Sequence, residues 1–346
     1  IVDTYNAKNK KLEMAIQVPP LLKSYLPISI ISSIAFANQG NNTWILNNFI
    51  QLFIPEGKEK LESFPFQDFM YYDQNIFQVN NVNDNNHFFS PDNIIDEIIY
   101  WLDHNNYLVV YADEYEIPDA RNYKYYHILH SQFIYGYDYD LQLFFSVNFL
   151  KDESIGKFKI SFDDLKSAIF AESTQKLFAE SASWHNRNTL HEIILIRYLP
   201  DREAFYDHGI NKEYILNEIN NYYKSYNSSN FSGYFTGKLR GTWGLNVYSA
   251  IINILEKKPQ LLDYRMFHLL YEHKYYMIER LTLFEISSKS TEELKDVFKS
   301  TSTLRLLCIK YNFRPNEAIL RKMIHILQNI RNKEINILSE LTHKYC

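Results

Sequence analysis

Three side chains could do chemistry together. His130 opens the stretch HSQFIYGYD (130–138), in which an imidazole leads into an apolar run and a Gly-Tyr-Asp turn. Asn148 sits in the next apolar run, LQLFFSVNFL (141–150), and Ser29 follows a proline in LPISIISS (26–33). An imidazole mounted at the mouth of a rigid strand suits a general base, and a hydroxyl in a first helical turn lies in positive potential that favours its alkoxide. An amide on the neighbouring strand would orient the ring. Each residue also has a plainer role: His130 bonded to a loop carbonyl, Ser29 bonded to its own helix backbone, Asn148 turned outward on its strand.

Other polar residues rank below these. His127 is the fallback base, and Asp138 and Asp140 read as turn formers. Ser24, Ser32 and Ser33 are the hydroxyl neighbours of Ser29. Asp113, Glu114 and Glu116 read as an exposed acidic loop, which a cationic amine could approach. His268 and His273 are five apart and share no helix face, so no metal pair is expected, and Glu272 and His273 read as solvated.

The elements that must position these groups follow from hydrophobic period. A helix is expected from near Pro27, then a turn at Gly40 and a second short helix. NNVNDNN (80–86) reads as an exposed loop, and SPDNIIDEIIYWLDHN (90–105) as a helix with Ser90 as N-cap and Pro91 at its first position. The period then changes from 3.6 to 2, giving strands at 107–115, 130–138, 141–150 and 157–161. A capped helix at 161–172 and a closing strand at 191–199 complete an α+β domain over residues 1–199. From Pro200 strands disappear, and residues 200–346 read as an all-α bundle of about five helices.

Composition sets outer bounds. The chain has 346 residues, 46% hydrophobic and 16% aromatic, with few glycines and prolines, which is a globular composition long enough for two cores. Abundant Tyr, Asn, Ile and Lys with sparse Gly and Ala suggests an AT-rich bacterial genome. The net charge of −5 and the absence of a compact Lys/Arg cluster argue against nucleic acid as a partner. Cys308 and Cys346 lack the spacing of a disulfide framework or a zinc site. No apolar run is long enough to span a membrane and no signal-peptide pattern is found, so a cytoplasmic protein without membrane, metal or cofactor is expected.

His130 to Asp138, followed by a hairpin and the strand bearing Asn148-Phe149, resembles the His-(apolar strand)-Gly-Tyr-Asp signature of papain-like proteins related to the bacteriocin-processing cysteine peptidases. More specifically, the chain resembles the family of the butirosin biosynthesis protein H. TWGLNVYSAIINIL (242–255) and DYRMFHLLYEHKYYM (263–277) look like that family's C-terminal segments. The resemblance spans most of residues 15–340. It implies a papain-like domain followed by a helical region, and acyl transfer from an acyl or peptidyl carrier protein thioester to a small amine acceptor, forming an amide in a nonribosomal peptide or related pathway. The family's cysteine would fall near residues 26–29, where this chain reads Leu-Pro-Ile-Ser and has no cysteine in its first 300 residues. Three readings stay open: Ser29 replaces the cysteine, His130 catalyses direct aminolysis, or the chain is a degenerate relative that binds a carrier or peptide without chemistry.

Overall fold

The structure is a computed structural model, and it describes residues 10–64, 76–83, 89–185, 192–200, 209–228 and 240–345. In chain order the elements are β1 (Lys11–Glu13), α1 (Leu26–Gln39), α2 (Thr43–Asn48), β2 (Gln51–Pro55), β3 (Glu62–Phe64), β4 (Phe77–Asn83), α3 (Ile94–Asp103) and β5 (Tyr107–Asp113). Next come β6 (Leu129–Asp138), β7 (Leu143–Phe149), β8 (Ile155–Ser161), α4 (Phe162–Phe170), α5 (Glu172–His185) and β9 (Glu192–Tyr198). The last are α6 (Lys212–Tyr223), β10 (Gly241–Trp243), α7 (Val247–Glu256), α8 (Tyr264–Leu281), α9 (Ser288–Phe313) and α10 (Glu317–Tyr345). The architecture is mixed helix and sheet, with an antiparallel sheet and a helical C-terminal region.

The chain divides into two compact units, one of residues 1–21, 33–40 and 69–206, the other of 22–32, 41–68 and 207–346. The expected border at residues 199 and 200 adjoins 201–208, which lie outside the described residues. The first two pieces of the second unit come from the part of the sequence assigned to the α+β domain.

The first unit is built on an antiparallel sheet ordered β4-β9-β5-β6-β7-β8, with β1 paired to the far end of β6. One face of β5 and β6, carrying Leu108, Val110, Ala112 and Ile134, packs with Ile98 and Leu102 of α3 and Leu165 and Ile169 of α4. Ser161 caps α4 by accepting from Asp164 N at 3.0 Å, as the sequence leads one to expect. The Gly-Tyr-Asp segment is strand rather than turn. A bulge shifts the β6–β7 register between Ile134 and Gly136, and a Cβ at Gly136 would lie 2.3 Å from Leu12 O of β1.

Two local expectations change. Residues 80–83 are strand, with Asn80, Asn81 and Val82 opposite Leu195, Ile194 and Ile193. The Asn-rich composition is tolerated because β4 is an edge strand, and Asn81 Nδ2 donates to the Glu192 carboxylate; residues 84–86 lie outside the described residues. The third helix starts at Ile94, not Pro91: Asn93 Oδ1 accepts from Ser90 N at 2.8 Å, which folds residues 90–93 into a turn before the helix begins.

In the second unit, α6 to α10 are the five expected helices, yet strands do not vanish after residue 200. β10 pairs with β2, and β2 with β3. Lys274 Nζ, fully buried, lies 2.6 Å from Glu334 Oε1 and 2.9 Å from Tyr222 OH, while Tyr248 OH donates to the same Glu334. Arg280 Nε and Nη2 each donate at 2.6 Å to the carbonyls of Leu46 and Ile45, closing the end of α2. Glu272 and His273 are buried, contrary to the solvated reading. Glu272 accepts from Lys23 N and Ser24 N just ahead of α1, and His273 Nε2 donates to Ile50 O at 2.6 Å. These partners lie more than 200 residues away, beyond the reach of a local pattern.

Candidate functional site: two histidine–carboxylate pairs at the end of β5

The β5–β6 register decides where His130 points. Ala112 faces His130, Val110 faces Gln132 and Leu108 faces Ile134. Side chains opposite one another share a face, so His130 and Gln132 stand on the face covered by α3 and α4, at its open end. Tyr107 points the other way: its hydroxyl donates to Ala15 O at 2.6 Å and accepts from Asn38 Nδ2 of α1 at 3.4 Å. Within this unit, then, the C-terminal half of α1 lies on the face opposite to His130.

His130 meets a carboxylate. Its Nδ1 is 2.8 Å from Oε1 of Glu114, the residue that opens the 3₁₀ turn after β5. The Glu114 oxygen lies off the Nδ1–H direction, so the two groups are in close contact without an aligned hydrogen bond. Glu114 is 1% exposed, whereas the His130 side chain keeps 30% of its surface in solvent. Nδ1 is buried, so the open part of the ring is the part carrying Nε2. Asn122 Nδ2 donates to Glu114 Oε2 at 2.5 Å and Asn148 Nδ2 to Oε1 at 3.2 Å. Burial pushes the Glu114 pKa up, but His130 and Asn122 outweigh it and hold the group below the usual glutamate value, so it is ionised at neutral pH.

Asn148 thus meets the carboxylate beside His130 and not the imidazole itself. Its Nδ2 also points at Gln132 Oε1, 2.8 Å away, and at Ser131 O, 3.1 Å away, while Oδ1 accepts from Phe149 N at 2.7 Å. With every polar atom engaged and no exposed surface, Asn148 is a rigid part of the sheet.

A second pair stands beside the first. Asp113 Oδ2 accepts from His127 Nδ1 and from Ser173 Oγ, both at 2.5 Å, and Oδ1 accepts from Tyr115 N at 3.1 Å and Ile128 N at 3.0 Å. Asp113 is fully buried, and His127 is half-exposed and stacked on Tyr115 with ring centroids 4.1 Å apart. Burial raises the Asp113 pKa, and the hydrogen bonds from Ser173, His127 and the backbone more than reverse it.

The acidic loop of the sequence reading therefore needs correcting. Asp113 and Glu114 are buried, and of the three acids only Glu116 reaches outward, to Lys124 at 2.7 Å. Glu114, Asn122 and Gln132 are the members of the His130 cluster that sequence reasoning missed. The sequence carried only a partial signal: YLVVYA is apolar without interruption, so Asp113 and Glu114 follow directly on a core strand, but the partners that make their burial tolerable are distant in sequence.

Ser29 belongs to the second unit. It is fully buried, and its Oγ donates to Tyr25 O at 2.9 Å, the plainer role of a helical serine. Ser32 Oγ likewise donates to Ser29 O at 3.0 Å. Among the described residues no three His, Cys, Asp or Glu side chains gather as a metal site. Comparison of the chain with models of protein families and with curated proteins finds no match to either.

Proposed function

We propose that the chain is a papain-like acyl-transferring protein in which His130, held by Glu114, is the general base for direct attack of an amine on a carrier-bound thioester. The observation that carries this reading is an imidazole part-open to solvent on its outer edge and set against a buried, ionised carboxylate on its inner edge. Such a carboxylate stabilises the imidazolium that forms when the ring takes a proton. In the step, the amine nitrogen bonds to the thioester carbonyl carbon and gives its proton to His130. The C–S bond breaks, and the leaving thiolate recovers that proton. Amide and thiol are the products, with every atom supplied by the two substrates.

This route asks nothing of Ser29, whose hydroxyl is already engaged with Tyr25 O. That same engagement favours a second reading, a relative that binds a carrier or peptide without chemistry. The test is thiol release and amide formation from acyl N-acetylcysteamine thioesters with a diamine acceptor. Under the proposal, His130→Ala lowers the rate by at least about 100-fold and Ser29→Ala leaves it within about twofold. Turnover by His130→Ala equal to the wild type removes His130 from the mechanism, and a wild type that binds the thioester without turnover leaves the binding reading.

A further inference from the structure

The whole-chain charge hides a basic pole. The chain is net −5, yet residues 297–333, the second half of α9 through the first half of α10, carry eight Lys or Arg and a single acid, Glu317. Glu317 is occupied by Lys258 and Arg321. Lys299, Lys310, Arg314 and Lys322 are exposed, and none has an acidic partner within ion-pair reach among the described residues.

The same stretch exposes large apolar side chains. Leu306, Ile309 and Phe313 are 66%, 52% and 92% exposed. Their spacing puts them on one face of α9, with Lys299 and Lys310 on the same face and Leu304, Cys308 and Tyr311 turned inward. Leu261, 70% exposed, lies nearby, because its loop is fastened to α9 through Tyr311 OH to Pro259 O at 2.6 Å and Asn312 Nδ2 to Leu262 O at 2.8 Å. Phe313 is the last residue of α9, directly before the Arg314-Pro315-Asn316 turn into α10, so its ring projects from the apex of a helical hairpin.

We propose that this apex docks on an anionic lipid surface, with Phe313, Ile309 and Leu306 entering the headgroup boundary and the lysines and arginines around them meeting lipid phosphates and carboxylates. Charge complementarity selects an anionic partner. The apolar residues select the bilayer among such partners: aliphatic side chains gain nothing from base stacking, and a protruding ring enters a fluid interface without needing a matching pocket. Association of this kind is peripheral and involves no spanning segment; no described helix is long and apolar enough to cross a membrane.

Flotation of the full chain with vesicles tests it. Vesicles of phosphatidylcholine with about 30% phosphatidylserine should carry the protein at low salt, and phosphatidylcholine alone should not. Phe313→Ala should weaken the partition about tenfold, and Lys310→Glu with Arg314→Glu at least about 25-fold. These side chains are exposed, so the variants should melt with the wild type, and a melting scan checks that. The proposal is overturned if the wild type does not prefer phosphatidylserine vesicles or if the variants float equally well. It is also overturned if a single-stranded DNA or an acidic protein, and not the vesicle, is bound through these residues.

Discussion

At the end of β5, Asp113 and Glu114 are sealed but their histidines are not; in the helical unit Lys274, Glu334, His273 and Arg280 are all closed off together. The residue types are alike, and the difference lies in where solvent stops. Solvent reaches His130 and His127, and each ring has a buried carboxylate beside it. Lys274 and Glu334 can only be satisfied by each other and by Tyr222 and Tyr248, so their charges hold the helices in register and are unavailable to a substrate. Burial of charge therefore does not by itself mark a candidate site in this molecule; what sets the β5 pairs apart is that only one partner of each is buried.

The sharpest way to break that contrast is to remove one charge from each cluster. Lys274→Met leaves Glu334 buried without its cation and should cost about 3–5 kcal/mol, read as a large drop in melting temperature. Adding Glu334→Leu should recover most of it. Glu114→Gln keeps the size of the side chain and should cost only about 1–3 kcal/mol in urea unfolding, yet should lower aminolysis at least as severely as it lowers stability. Equal stability losses at the two sites would erase the distinction drawn here.

Acid titration separates the clusters by pH. Burial and the neighbouring Lys274 charge hold the His273 pKa well below the usual histidine value, and protonating Nδ1 would create an N–H with no partner among the described residues. Below about pH 6.5 the unfolded chain binds a proton there that the folded chain does not, so stability falls with pH by up to about 1.4 kcal/mol per unit. Asp113 and Glu114 have lowered pKa values, so their contribution is complete above about pH 5 and is lost as pH falls from there through the folded values. His273→Gln should flatten the decline between about pH 6.5 and 4.5 and leave the acid limb unchanged, as measured by urea unfolding at each pH.

Periodicity carried much of the fold. The change from 3.6 to 2 after the third helix located β5 to β8, and apolar spacing located the five C-terminal helices, because those signals are local. What stayed hidden depends on pairing at a distance. β4 looked like a loop because its asparagines are those of an edge strand, and β2 and β10 recognise each other across almost 190 residues. At the site, His130 was legible as a strand residue at an opening. Glu114 was not, since its burial follows from Asn148, 34 residues on, and Asn122, neither of which a linear reading places beside it. The reading of Asn148 as orienter expected it against the His130 ring, whereas it meets Glu114, because that carboxylate was assumed to face water.

Gly136 has a consequence for self-association. Because a Cβ there would lie 2.3 Å from Leu12 O of β1, even alanine would lift Lys11–Glu13 from β6 and leave Gly136, Tyr137 and Asp138 with unpaired backbone groups. An uncovered strand edge is a template for another chain. The smallest residue of the strand thereby acts as a guard against edge-to-edge aggregation, through the cover it permits and not through any contact of its own.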